Sequence, residues 1–132
     1  MNGHVVSGLG VAKNAIELQK PFLRPYFPEI DACQIGTINI KLEHALDVRI
    51  PDIVTSPIAW QPGSQMGERF GLTKINVEVS EQRHEAWIYG AEFSSHRFNY
   101  MMVELLARPI EAIAPEVTCV LHIDRFTGYI VV

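Results

Sequence analysis

Two neutral, oxygen-bearing side chains, Thr37 and Asn39, stand two residues apart in a segment that alternates strictly between polar and apolar residues. Strand periodicity would put them on one face, about 7 Å apart at ~3.3 Å of rise per residue. A hydroxyl and a carboxamide held at this spacing on a rigid element suit a hard cation that also carries phosphate oxygens. A polar outer face on an ordinary strand explains the same pattern and is the commoner case.

A glycine-containing segment near the N-terminus is the second candidate for chemistry. Two valines at positions 5 and 6 predict a short strand, and Ser7, Gly8 and Gly10 then break it into a loop. Consecutive backbone amides in such a loop can bind an anion, and Lys13 adds a positive charge. A Gly-x-Gly pair is a weak signal by itself, since most loops of this kind are plain turns.

The other ionisable residues form no strong motif. A histidine–glutamate zinc site is an open alternative, because His84 precedes Glu85 and His96 precedes Glu104, although the histidines are dispersed. Glu104 also lies within an apolar element, 101–107, where a carboxylate either faces solvent or bonds a specific partner. The two cysteines lack Cys-x-x-Cys spacing, so they indicate neither a zinc site nor a disulfide framework.

Length and charge bound the class of protein. With 132 residues and 14.9 kDa, residues 1–132 are expected to form one domain with one core. A net charge of −4 and a pI near 5.7 do not indicate the excess of positive charge that nucleic-acid-binding proteins usually carry. No apolar run approaches ~20 residues, so we expect no membrane span. The start resembles no signal peptide, and because the two cysteines indicate no disulfide framework we expect a reduced, cytoplasmic location.

Alternating segments punctuated by glycine and proline predict a mainly β fold, a small barrel with a few short helical turns. The clearest element is a hairpin, with strands at 70–79 and 84–91 joined by a turn at 80–83. Further strands are expected at residues 36–42, 117–123 and 129–132, the last ending the sheet.

The segment 15–28 is harder to interpret. Residues 15–20 fit a helical turn or a strand, and three prolines are expected to divide residues 21–28 into short pieces. We expect the apolar side chains here to cover one end of the core: Phe22, Leu23, Tyr26 and Phe27.

Three blocks together resemble the archaeal CTP-dependent riboflavin kinases. They are residues 3–10 (Gly-His-Val-Val-Ser-Gly-Leu-Gly), 36–42 (Gly-Thr-Ile-Asn-Ile-Lys-Leu) and 103–107 (Val-Glu-Leu-Leu-Ala), and their order and spacing extend over nearly the whole chain. The second block is the most specific. The resemblance implies a cradle-loop β-barrel that transfers the γ-phosphate of CTP to riboflavin, giving FMN and CDP.

The resemblance also implies roles for individual residues. Thr37 and Asn39 match the ligands of Mg²⁺, and Glu104 matches the flavin-binding glutamate, with Ser94 or Ser95 in place of a nearby threonine. No residue is assigned as a general base. The expected nucleotide contacts are Gly8, Leu9, Gly10, Val11, Ala12, Lys13 and Asn14 around the phosphates, and Arg108, Pro109, Ile110 and Glu111 at the cytosine.

The chain departs from the family pattern in ways that keep alternatives open. The family's phosphate loop reads Gly-Leu-Gly-Glu-Gly, whereas Val11 and Ala12 follow Gly10 here, so a Cβ stands where a glycine is usual. The alternative function is a flavin- or nucleotide-binding module of the same fold without catalysis. A third possible function is that of an interaction protein related to barrel-type DNA-binding domains. It is poorly supported, because the chain carries more acidic than basic residues. The expected partners are thus small molecules, neither nucleic acid nor membrane, and the sequence leaves the donor nucleotide and the oligomeric state open.

Overall fold

Antiparallel strands make up most of the molecule. The computed structural model describes residues 1–7, 11–34, 36–94, 99–123 and 128–129. The strands are β1 (Asn2–Val6), β2 (Ile38–Leu42), β3 (Leu46–Asp47), β4 (Ile53–Val54), β5 (Phe70–Val79), β6 (Gln82–Ala91), β7 (Met102–Ala107), β8 (Thr118–His122) and β9 (Gly128–Tyr129). The helices are α1 (Val11–Leu23) and a 3₁₀ helix, Pro28–Ala32.

Six of the strands close into a barrel. Hydrogen bonding follows the order β5-β6-β7-β2-β1-β8, and β8 pairs back onto β5. Strand β4 extends the sheet beside β5, while β3 and β9 form a separate two-stranded sheet. The predicted fold class, a mainly β barrel with a few short helical segments, is confirmed.

The barrel interior is apolar because each strand turns alternate side chains inward. On β2 these are the predicted residues Ile38, Ile40 and Leu42, each at most 3 % exposed. They pack with inward-facing residues of every other barrel strand, including Val5, Ile75, Val77, Ile88, Val103, Leu105, Cys119 and Leu121.

A second apolar layer lies on the outer face of the barrel, beneath α1 and the 3₁₀ helix. It joins Ile16 and Leu23 of α1 to outward-facing strand residues such as Trp87 and Leu106. Phe27 packs on Trp87 with ring centroids 4.8 Å apart. The outer face of β6 and β7 is therefore covered, although the alternation alone would leave it to solvent.

Helix α1 differs from the sequence prediction, which left 11–14 as a loop and expected proline to interrupt the chain at 21. The helix runs through Pro21 to Leu23. Buried residues at the spacing of a helical face, Ile16, Gln19 and Leu23, pack against the barrel, and this burial offsets the one backbone donor that proline lacks. Of the four side chains expected in the core, Leu23 and Phe27 are fully buried, whereas Phe22 and Tyr26 are 46 % and 37 % exposed.

The hairpin is confirmed, with a tighter turn than expected. Val79 pairs with Gln82, so the turn contains only Ser80 and Glu81, whose φ angles are 50° and 65°. Positive φ at both central residues is characteristic of the turn that matches the twist of antiparallel strands. The residues at 82 and 83, predicted as turn, therefore belong to β6.

The C-terminal strand prediction is confirmed in part. Residues 118–122 form β8, inside the predicted 117–123. The expected final strand at 129–132 was predicted to end the main sheet, but Tyr129 pairs with Leu46 in the small sheet instead. Residues 130–132 lie outside the described part of the chain. Within the part that is described, no helix has both the length and the apolar character needed to cross a membrane.

Candidate functional site

Three oxygen-bearing side chains meet on the outer face of β2 and β7. The Thr37 hydroxyl oxygen lies 3.5 Å from Oδ1 of Asn39 and 3.3 Å from Oε1 of Glu104. Asn39 is only 7 % exposed, and the other two are partly buried. The two residues proposed as metal ligands and the glutamate proposed for flavin thus form one cluster, which we call the oxygen cluster.

Strand register explains why the cluster forms. β2 and β7 pair antiparallel with Asn39 directly opposite Glu104, and β6 pairs with β7 so that Tyr89 is opposite Glu104 on its other side. Residues that are direct partners in adjacent strands point to the same face. Asn39, Glu104 and Tyr89 therefore form a row across three neighbouring strands.

The oxygen cluster presents three side-chain oxygens that can act as metal ligands: the Thr37 hydroxyl, the Asn39 carboxamide oxygen and a carboxylate oxygen of Glu104. Separations of 3.3 and 3.5 Å are also long for hydrogen bonds from a hydroxyl, which cluster near 2.7–2.8 Å. A hard cation prefers neutral and anionic oxygen ligands of this kind, so the donor set fits the Mg²⁺ that the resemblance implies.

Gly36 brings the start of β2 against the first turn of α1. Its φ is +88°, a conformation that side chains other than glycine rarely adopt, and a Cβ there would lie 3.6 Å from the Cα of Lys13. The backbone around Lys13 therefore borders the residue that precedes Thr37. This contact connects the helical part of the predicted phosphate-binding segment with the oxygen cluster.

The predicted phosphate-binding residues are only partly described. Gly8, Leu9 and Gly10 lie outside the described residues, as does Ser95. The rest of the segment, Val11, Ala12, Lys13 and Asn14, forms the first turn of α1, which corrects the prediction of a loop there. Because a helical residue has negative φ, the alanine at position 12 creates no backbone strain, and the missing third glycine is not required for this conformation.

The predicted cytosine-binding segment follows β7 at the same end of the site. The Gln34 amide donates to the Ala107 carbonyl oxygen, which brings the start of this segment beside the chain that leads to Gly36. Arg108, Pro109 and Glu111 are exposed, whereas Ile110 is 7 % exposed and packs in the barrel core.

Cys33 lies in the chain that leads to Gly36, and its environment disfavours a nucleophilic role. Burial raises the pKa of its thiol to about 11, and Arg108 only partly opposes that rise. Burial also raises the pKa of the Cys119 thiol. Both groups stay protonated at neutral pH, and a protonated thiol is a poor nucleophile.

A cleft of about 340 Å³ lies at one end of strands β5, β6 and β7, and Glu104 is among its lining residues. Ser94 and Glu104, two residues predicted to bind flavin, both line it. The ends of β5, β6 and β7 form its base, and the segments before β4 and β7 form its walls. Glu104 is therefore shared between the oxygen cluster and a mostly apolar cleft, which is a usual composition for a small-molecule site.

Tyr89 is a site residue that the sequence reasoning missed. It lines the cleft and is buried, and its hydroxyl donates to Oε1 of Gln19 on α1 at 2.6 Å. Burial raises the pKa of Tyr89, and the negative charge of Glu104 acts in the same direction, so the hydroxyl remains a donor. A glutamine on the apolar face of α1 was the available signal, since a buried amide requires a partner.

The zinc alternative finds no support in this arrangement. Among the residues that the structure describes, no group of three or more histidine, cysteine, aspartate or glutamate side chains is placed to hold a metal ion. His84 is near the start of β6, and His96 lies outside the described residues.

No family model matches the chain, and no curated protein matches it significantly.

Proposed function

We propose that this protein is a phosphotransferase that transfers the γ-phosphate of a nucleoside triphosphate, with CTP expected, to riboflavin, giving FMN. The observation that carries the proposal is the shared position of Glu104. A carboxylate oxygen of this residue is 3.3 Å from the Thr37 hydroxyl, and the residue is also one of those that line the cleft. A group that binds the acceptor in the cleft would thereby hold it beside the expected metal ligands.

The oxygen cluster would act mainly by positioning and by neutralising charge, the principal contributions to catalysis of phosphoryl transfer. Mg²⁺, when bound, would neutralise the negative charge of the donor phosphates. Thr37 and Asn39 would hold it through one hydroxyl and one carbonyl oxygen. Glu104 would accept hydrogen bonds from the ribityl hydroxyls and orient the terminal one.

The nucleotide would lie at the end of the site where three chain segments meet. These are the first turn of α1, the residues around Gly36, and the segment after β7. Backbone amides from the glycine segment and α1 are suited to phosphate oxygens, and Lys13 and Arg108 supply exposed positive charge near it.

The proposal can be tested directly with unmodified protein. Riboflavin and Mg²⁺ are incubated with CTP, ATP, GTP or UTP in turn, and FMN is separated from riboflavin by chromatography. We expect FMN with at least one nucleotide and none after chelation of the metal. Riboflavin bound without FMN formation from any nucleotide would reject catalysis and select the flavin-binding module instead.

A further inference from the structure

A buried carboxylate joins two chain segments near the cleft. Glu68 is only 5 % exposed, and both of its carboxylate oxygens accept hydrogen bonds. Oε1 accepts from the indole Nε1 of Trp60 at 2.7 Å, and Oε2 accepts from the backbone N–H of Phe93 at 2.6 Å. Within the part of the chain that the structure describes, no basic side chain forms an ion pair with Glu68. Two neutral donors therefore compensate the burial of its charge.

A carboxylate suits these two partners better than an uncharged side chain of the same shape. An indole nitrogen and a backbone amide nitrogen each donate a hydrogen bond and accept none, so the group between them must supply two acceptors. A glutamine would bring its NH₂ group against one of the two N–H groups. We call the arrangement of Trp60, Glu68 and Phe93 the Glu68 bridge.

The Trp60 end of the Glu68 bridge is held against the barrel. The backbones of Ile58 and Glu68 exchange two hydrogen bonds of 2.9 Å. The side chains of Ile58 and Trp60 pack against the second apolar layer on the outer face of the barrel. This end of the bridge is therefore a fixed support for the segment at its other end.

The Phe93 end of the Glu68 bridge belongs to the wall of the cleft. Phe93 follows the end of β6 and stands between Glu92 and Ser94, both of which are among the lining residues. The backbone N–H of Glu92 donates to the carbonyl oxygen of Arg69, another lining residue, at 3.0 Å. The hydrogen bond from the Phe93 N–H to Glu68 thus fixes the backbone of the segment that carries Ser94.

The Glu68 bridge is remote from the oxygen cluster. Leu72 lies two strand spacings, about 10 Å, from Glu104, because Tyr89 is opposite both of them. Glu68 precedes Leu72 by four residues, which adds about 13 Å along the chain at ~3.3 Å per residue. A change in the bridge should therefore alter the cleft wall without moving the groups of the oxygen cluster.

We propose that Glu68 is a positioning residue for the acceptor, and that it places Ser94 in the cleft wall through the Phe93 backbone. This inference rests on the proposed function, which takes riboflavin as the occupant of the cleft. Glu68 itself does not touch the flavin. It holds the wall segment in one position before the flavin binds, and this preorganisation lowers the cost of ordering that segment on binding.

The test uses Glu68→Met, which removes both acceptors, and Glu68→Gln, which keeps one of them. Trp60→Phe removes one donor and leaves the bond between Glu68 and Phe93. Thr55→Val is the matched control, because it removes a buried hydroxyl that accepts from the Phe70 N–H at 3.0 Å and leaves the Glu68 bridge intact. Urea denaturation measures stability, and fluorescence quenching gives the dissociation constant of riboflavin. Hydrogen exchange of the Phe93 amide, followed by NMR, reports on the bridge itself.

We expect Glu68→Met to accelerate exchange at Phe93 and to weaken riboflavin binding by about tenfold or more. Turnover at saturating riboflavin should stay within about twofold in this variant, because the groups expected to act in phosphoryl transfer lie at the oxygen cluster. Trp60→Phe and Thr55→Val should lower stability and change neither riboflavin binding nor exchange at Phe93. In Glu68→Gln, binding should weaken only if exchange at Phe93 accelerates.

Two results would overturn the inference. One is faster exchange at Phe93, in Glu68→Met or Glu68→Gln, with unchanged binding of riboflavin. The other is equal weakening of binding in a Glu68 variant and in Thr55→Val, which would assign the effect to stability alone. Glu68→Gln carries the same comparison if Glu68→Met does not fold.

FMN formation in the same preparations separates this inference from the proposed function. If the unmodified protein forms FMN and Glu68→Met binds riboflavin normally despite fast exchange at Phe93, the kinase stands and the role of Glu68 is rejected. If the unmodified protein binds riboflavin without forming FMN and Glu68→Met loses binding, the role of Glu68 stands and the kinase is rejected. Failure of the unmodified protein to bind riboflavin would reject both.

Discussion

The hydroxyl oxygen of Thr37 lies 3.3 Å from a carboxylate oxygen of Glu104, although 67 residues separate the two in sequence. The barrel produces this contact because β2 and β7 are neighbours and Asn39 is opposite Glu104. The site is therefore a property of strand register. A shift of one residue in that pairing would turn Glu104 into the core and disperse the oxygen cluster.

Substitution of Asn39 tests whether this residue is one of the expected metal ligands. Asn39→Ala removes one ligand oxygen, and we expect turnover to fall by about 10² or more while riboflavin binding is retained. Lys41→Ala, an exposed position on the same face of β2, should leave turnover unchanged and serves as the matched control. Steady-state FMN formation at saturating riboflavin measures the effect. Unchanged FMN formation in Asn39→Ala would exclude this role for Asn39.

Glu104 tests the contact with the ribityl chain. Glu104→Gln preserves the shape but removes the charge, and hydrogen bonds to charged groups are worth roughly 1 kcal/mol more than neutral ones. We therefore expect about fivefold weaker binding of riboflavin and little change for lumiflavin, which lacks the ribityl chain, measured by fluorescence quenching. Glu85→Gln, an exposed position on β6, is the control. Equal weakening for both probes would show that Glu104 contacts the ring instead.

The buried hydrogen bond between Tyr89 and Gln19 tests how α1 is held on the barrel. Tyr89→Phe leaves Oε1 of Gln19 without its donor at a site only 2 % exposed, so we expect a loss of about 1–3 kcal/mol in the free energy of unfolding. Adding Gln19→Leu to this variant should recover part of the loss, as urea denaturation would measure. Strictly additive effects of the two substitutions would contradict a direct interaction.

Much of the barrel could be predicted because its strands carry local signals. The alternation from Thr37 to Leu42 identified both faces of β2, and the paired alternating segments identified the hairpin of β5 and β6. Helix α1 could not be predicted in the same way. Its proline and its mixed composition argue against a helix locally, and packing of Ile16 and Leu23 on the outer face of the barrel decides otherwise.

The sequence could predict only those parts of the candidate site that lie within a single segment of the chain. Thr37 and Asn39 share a face within one strand, so periodicity alone brought them together. The proximity of Glu104 to Thr37 depends on long-range pairing, for which the sequence offered only the resemblance. The contributions of Tyr89 and Arg69 to the cleft depend on which strands are neighbours, and no local pattern reports that.

Substitution of Gly3 tests how closely β1 packs against β2. A Cβ at this position would lie 2.7 Å from Cγ2 of Ile40 and 2.8 Å from the Lys41 carbonyl oxygen. We expect Gly3→Ala to lower the free energy of unfolding by about 1–3 kcal/mol through overpacking. Gly90→Ala is the matched control, since its Cβ would meet nothing nearer than 3.9 Å. Equal stabilities of the two variants in urea denaturation would contradict the close approach of β1 and β2.

Phosphoryl transfer at the oxygen cluster is tested most sharply by the appearance of FMN when the protein is incubated with riboflavin, Mg²⁺ and each of the four nucleoside triphosphates. We predict FMN from at least one nucleotide, with CTP expected, and its loss in Asn39→Ala. Absence of FMN with all four nucleotides, in a preparation that binds riboflavin, would contradict the assignment of the oxygen cluster to phosphoryl transfer.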